Sequence, residues 1–167
     1  AKHDGATALA LRKKLAAKTY ARTAAYDAAI SNWFARELAD LAPTYRAFGG
    51  KLVQALRYGE NPHQKGVFYG NLNDMFTQLG GKALSYNNLL DVDAAVNLMA
   101  DFTAPTFAIL KHNNACGLAT RDTLLQAYTD ALAADPVSAF GGILIANRKL
   151  DLETAKAMHA LFFELVI

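Results

Sequence analysis

The sequence predicts an α/β layered domain preceded by a helical segment, and three observations carry that expectation. From residue 88 onward, stretches with helical and strand patterning alternate as helix, strand, helix, strand and helix. Residues 7–41 are alanine-rich, with apolar residues at helical spacing. Between these regions Pro43 and Gly49-Gly50 break the pattern and offer the best domain boundary. Fully 53% of the 167 residues are hydrophobic, enough to fill a core, and no stretch has the composition of a disordered chain.

In order, Thr7 to Leu41 reads as one long helix or two consecutive ones. Its cluster Arg12-Lys13-Lys14, with Lys18 and Arg22, reads as the solvated face of an amphipathic helix. Leu52 to Arg57 and Val67 to Tyr69 read as short strands around the turn-rich stretch Gly59-Glu60-Asn61-Pro62-His63. Asn88 to Phe102 carries Leu89, Val92, Val96 and Met99 at three- and four-residue steps, which predicts a helix with one apolar face. Thr106 to Leu110 is an apolar strand. A helix over Asp122 to Ala133 follows, closed by Asp135-Pro136. Ile143 to Ala146 is a further buried strand, and Asp151 is a suitable N-cap for a last helix running to the end of the chain.

Composition narrows the function. Seventeen basic against 15 acidic residues give a net charge of only +2, which argues against nucleic acid as a partner. One cysteine, Cys116, allows no internal disulfide and points to a reducing, cytoplasmic setting. No signal peptide, lipidation motif or membrane-length apolar run is visible. The chain starts at Ala1 without methionine and stops on the apolar run 161–167, so the expectation is a piece of something longer.

Chemistry is expected at the carboxyl ends of strands, because groups there lie over the binding crevice of an α/β sheet. Three polar clusters qualify: Arg57-Tyr58 with the turn after it, Lys111-His112 with Asn113-Asn114, and Ser138 to Gly142. Each has a plainer reading. A Lys-His pair is often surface decoration, Arg57-Tyr58 could be a snorkelling arginine beside a half-buried phenol, and Gly141-Gly142 could be only a turn. His112 and Cys116 superficially suggest a zinc deaminase, with its H-x-E and P-C-x-x-C signature. Asn114 stands in place of the glutamate, Ala115 in place of the proline, and a second cysteine is missing, so zinc fails on ligand count. Cys116 as a nucleophile activated by His112 remains a rival, although a lone cysteine in such a loop is more often a packing residue.

Four words occur together in order: Leu56-Arg57-Tyr58-Gly59-Glu60-Asn61-Pro62-His63-Gln64, Leu84-Ser85-Tyr86-Asn87-Asn88-Leu89-Leu90-Asp91, Lys111-His112-Asn113-Asn114-Ala115-Cys116-Gly117 and Ser138-Ala139-Phe140-Gly141-Gly142. Together they resemble the bifunctional purine-biosynthesis enzymes that combine AICAR transformylase and IMP cyclohydrolase activities. The stretch around Thr23 to Ser31 is similar to the segment joining that family's two domains. Many members have proline where Ala115 stands.

The resemblance implies a three-layer α/β/α, cytidine-deaminase-like transformylase fold without metal. Residues 1–50 would be the helical interdomain segment and 51–167 the first part of the transformylase domain, truncated at its C-terminus. It implies transfer of a formyl group from 10-formyltetrahydrofolate, as co-substrate, to the amine of the ribonucleotide AICAR, in a parent that is a homodimer. His112 would be the proton acceptor, as suits an imidazole near neutral pH, and Lys111 the stabiliser of transition-state charge. Arg57, Tyr58, Asn88, Phe140 and Gly141 would bind substrate. Glu164 falls where some members place a ligand-binding aspartate. Lys111 and His112 are adjacent, and side chains alternate along a strand, so a twist or loop must bring both to one site. The rival classes are a non-catalytic assembly fragment and a Cys116-dependent acyl transferase.

Overall fold

The computed structural model describes residues 5–167. They divide into two units: the described residues up to Ala55 with Val67–Gly80, and Leu56–Gly66 with Gly81–Ile167.

The first unit is dominated by one helix, α1 (Leu9–Glu37). Alanine favours it throughout, and its end is set by the backbone. Ala39 takes φ 52, its amide donates to the Arg36 carbonyl, and the Asp40 amide donates to the Ala35 carbonyl. This is a Schellman ending with alanine where glycine is usual. The segment after it packs back onto the helix. Asn32 Nδ2 donates to the Ala47 carbonyl at 2.7 Å, and a Cβ on Gly49 would stand 2.8 Å from Ala25 Cα, so only glycine fits there. Strands β1 (Leu52–Ala55) and β2 (Val67–Tyr69) pair antiparallel in this unit.

The second unit is an α/β domain. Its helices are α2 (Tyr86–Met99), α3 (Leu124–Ala134) and α4 (Leu152–Met158). Its strands are β3 (Thr106–Lys111), β4 (Asn114–Thr120), β5 (Gly142–Ala146) and β6 (Phe163–Val166), in the sheet order β4-β3-β5-β6. Only β5 and β6 run parallel. Side chains alternate along β3 and so serve two cores. Phe107 and Ile109 pack with Leu124, Ala127, Tyr128 and Ala131 of α3, while Ala108 and Leu110 pack with Ala95 and Met99 of α2. The sheet therefore lies between two helical layers, as the expected α/β/α layering requires. Burying side chains such as Phe107, Ile109, Leu110 and Leu144 is worth about 1.5–3 kcal/mol each.

Two expectations are corrected. The last helix does not run to the end: α4 stops at Met158 and the chain re-enters the sheet as β6. Phe163 and Leu165 are half-buried between exposed Glu164 and Val166, a strand alternation. The region after His112 is not a loop but the strand β4, joined to β3 by a two-residue turn. Among the described residues no helix is long and apolar enough to cross a membrane.

Candidate active site on one rim of the sheet

Because β3 and β5 are antiparallel, the carboxyl end of β3 and the amino end of β5 lie on the same rim. Lys111 ends β3 on the face that carries Phe107 and Ile109. Its Nζ donates to the Phe140 carbonyl at 2.9 Å, which joins the Lys-His cluster to the cluster at Phe140 and Gly141. That carbonyl is positioned by a turn that begins at the end of α3. Asp135 Oδ1 accepts from the Ser138 amide at 2.9 Å, and the Gly142 amide donates to the Ala139 carbonyl at 3.1 Å. The Ser138 hydroxyl, then its amide, hold the Asp135 carboxyl below the usual range, with a smaller contribution from the Lys111 charge. Gly141 takes φ 73, and its amide donates to the Phe162 carbonyl at 2.8 Å. A side chain at Gly141 would be strained by that φ.

His112 stands at the hairpin tip. Lys111 pairs with Asn114, so the connection is His112-Asn113, with φ 53 and 64. Two consecutive positive φ values are the mark of a type I′ hairpin turn. The strand thus ends at Lys111, and its side-chain alternation does not run on into His112. Positive φ is uncommon outside glycine, and backbone strain of this kind collects at functional sites. His112 is exposed and Lys111 half-buried.

Arg57 and Tyr58 form their own pair. The guanidinium lies 4.9 Å from the Tyr58 ring centroid and donates to the Tyr58 hydroxyl at 3.2 Å. The segment is tied to the start of α2: the Arg57 amide donates to the Leu84 carbonyl, the Tyr86 amide to the Tyr58 carbonyl, and Asn87 Nδ2 to the Glu60 carbonyl. Asn88 works in the capping box of α2, its amide donating to Ser85 Oγ and its side-chain oxygen accepting from the Ser85 amide. Its placement is therefore structural as well as close to the Tyr58 segment. Glu164 is exposed at an irregularity in β6, since Gly142 pairs with Phe163 and Ile143 with Leu165, leaving Glu164 between the rungs. Such a bulge re-aims a side chain, and this one lies at the same end of β5 as Gly141.

Cys116 is the unpaired residue of a second bulge, where Ile109 pairs with Gly117 and Leu110 with Ala115. Its Sγ donates to the Ile109 carbonyl at 3.4 Å, and burial raises its pKa, disfavouring the thiolate a nucleophile needs. Among the described residues, no three His, Cys, Asp or Glu side chains cluster as metal ligands. Two carboxylates that support the rim were not singled out in the sequence. Asp135 appears there only as part of a helix stop. Asp91 was quoted as the last residue of a motif, and its signal was its position three residues after Asn88 on one helix face.

Fold and rim together define an α/β domain in which, contrary to the expectation, only the Lys111-His112 cluster lies at the carboxyl end of a strand of the four-stranded sheet, while Ser138 to Gly142 precedes the amino end of β5. A family model described as the AICARFT/IMPCHase bienzyme matches residues 1–167, and the chain belongs to that family. It is 58% identical to the bifunctional purine biosynthesis protein PurH of Parvibaculum lavamentivorans, over 98% of this chain and 32% of that protein. PurH of Agrobacterium fabrum is 56% identical over 98% of the chain and 32% of its own length. For PurH of Bradyrhizobium diazoefficiens the figures are 54%, 100% and 33%. The chain thus spans about a third of the length of these curated relatives.

Proposed function

We propose that this chain is the part of a longer purine-biosynthesis protein that supplies one wall of an AICAR transformylase site. In this reading residues 1–50 are the interdomain segment, and 51–167 begin a cytidine-deaminase-like transformylase domain. The formyl carbon of 10-formyltetrahydrofolate is attacked by the exocyclic amine of AICAR. A C–N bond forms to the amine, the bond to the folate nitrogen breaks, and the amine proton passes to His112 and on to the departing nitrogen. Lys111 stabilises the negative charge that develops on the formyl oxygen. Arg57 and Tyr58 hold the nucleotide, arginine's planar fork suiting phosphate. Gly141 and Phe140 line the site, Asn88 and Glu164 complete the substrate contacts, and the parent works as a homodimer in the cytoplasm.

The observation that carries the reading is the hydrogen bond from Lys111 to the Phe140 carbonyl beside a strained His112 turn. It gives a cation a fixed address next to an exposed imidazole, and fixed charge is what transition-state stabilisation needs. Formyl transfer by the parent tests it: Lys111→Ala and His112→Ala should each lower kcat by at least about 10²-fold with folding intact. Wild-type rates in both variants would reduce the pair to strand-end decoration. An assembly role is a second reading, favoured by the exposed Trp33, Phe34 and Tyr26 of α1.

A further inference from the structure

The tip of the β3–β4 hairpin is held from outside the hairpin. The Asn113 amide donates to Asp91 Oδ1 at 2.9 Å. In the orientation that satisfies both of its side-chain atoms, Asn113 also donates through its side-chain amide to Asp91 Oδ1 at 3.1 Å and to the Leu90 carbonyl at 3.3 Å. The turn needs such an anchor, because His112 and Asn113 both take positive φ without a glycine. Asp91 is half-buried on α2, three residues after Asn88 and on the same face. The first turn of that helix is bonded to the Tyr58 segment. A single rigid helix therefore sets the separation between the Arg57–Tyr58 segment and the His112 turn.

We infer that Asp91 is a positioning residue for His112. Its carboxylate holds the turn in the left-handed conformation through Asn113, and so fixes where the imidazole stands relative to Lys111 and to a nucleotide on Arg57. The effect on rate rests on the formyl-transfer reading, whereas the anchoring itself does not.

The test uses the parent protein with Asp91→Ala, Asp91→Asn, the double variant Asp91→Ala/Asn113→Gly, and Asp93→Ala as control. Asp93 is exposed on the same helix and has no part in the rim. Asp91→Ala should lower kcat at least about tenfold with AICAR affinity little changed, since misplacing a reacting group costs rate before it costs binding. Asp91→Asn keeps an oxygen acceptor and should retain more of the rate. Asn113→Gly should restore part of the rate lost in Asp91→Ala, because glycine takes positive φ without an anchor. Hydrogen exchange across 110–118, read by mass spectrometry, reports the anchor without any catalysis: it should quicken in Asp91→Ala and not in Asp93→Ala.

Unchanged exchange in Asp91→Ala overturns the inference, as does a rate loss in which Asp91→Asn and the glycine double variant are as slow as Asp91→Ala. Quickened exchange in a parent that transfers no formyl group would sink the functional reading and leave the anchor standing. Should Asp91→Ala fail to fold, Asp91→Asn decides by the same two readouts: slower turnover with faster exchange supports the inference, and wild-type values in both overturn it.

Discussion

Helices α1 and α3 are both rich in alanine, yet they meet very different fates. Over its 11 residues α3 buries Leu124, Ala127, Tyr128 and Ala131, the spacing of one continuous face. Over 29 residues α1 buries only Ala28. Its larger apolar residues, Leu9, Leu11, Leu15, Tyr20, Tyr26, Ile30, Trp33 and Phe34, are exposed. At about 100° per residue they share one half of the circumference, opposite the face of Ala25, Ala28 and Asn32 on which the following segment packs. Propensity suffices to make either helix, but burial needs apolar side chains aligned on a surface that awaits them.

The sharpest way to break this comparison is a truncation in each region. Phe107→Ala opens the core under α3 and should destabilise the α/β unit by about 3–5 kcal/mol, whereas Trp33→Ala on α1 should stay within about 0.5 kcal/mol. Urea unfolding of the chain reads both, and equal losses would mean that α1 contributes as much packing as α3. Next in size is Gly117→Ala. A Cβ on Gly117 would run into the Ala131 carbonyl of α3, so this substitution should cost about 1–3 kcal/mol through overpacking. A neutral result would show that α3 can lift off β4 freely.

A smaller effect separates by pH. The Thr154 amide holds the Asp151 carboxyl below its usual range at the start of α4. A depressed native pKa contributes stability above the unfolded carboxyl pKa, and that contribution is lost as pH falls through the native value. The Asp151→Ala variant should therefore melt below the wild-type chain at pH 7, with the gap closing as pH falls below the ordinary carboxyl range. A gap independent of pH would assign the loss to packing. The smallest change expected is a gain: Ala39→Gly should stabilise the end of α1 by about 0.5–1 kcal/mol, because glycine removes the penalty of φ 52. A loss would show that the Schellman ending is not populated in solution.

What the sequence could reveal follows the same physics. The strand at Phe107 to Leu110 was legible as a short continuous apolar run, and the helices α2 and α3 because their apolar residues repeat at helix period. Strand β4 was not, since Asn-Ala-Cys-Gly-Leu-Ala-Thr lacks a β-branched or aromatic run and its turn, His112-Asn113, lacks the glycine that usually marks a hairpin. Strand β6 was overlooked although Phe163, Glu164 and Leu165 alternate, because Asp151 signals a helix start and nothing after it spells a stop. The candidate site residues were legible as words. Their support was not, because Asp91 and Asp135 act through contacts of 22 residues' separation and of a turn, respectively.

The bulge at Cys116 has a consequence for loop arithmetic. With Ile109 opposite Gly117, an unbroken ladder would next pair Leu110 with Cys116 and Lys111 with Ala115, leaving residues 112–114 to close the hairpin. Skipping Cys116 pairs Leu110 with Ala115 and Lys111 with Asn114 instead, so only His112 and Asn113 remain. The two-residue turn thus goes with a ladder that skips a residue four places downstream of the histidine. Deleting Cys116 would remove the bulge yet keep Leu110 opposite Ala115 and Lys111 opposite Asn114, so the two-residue turn would survive on a regular ladder.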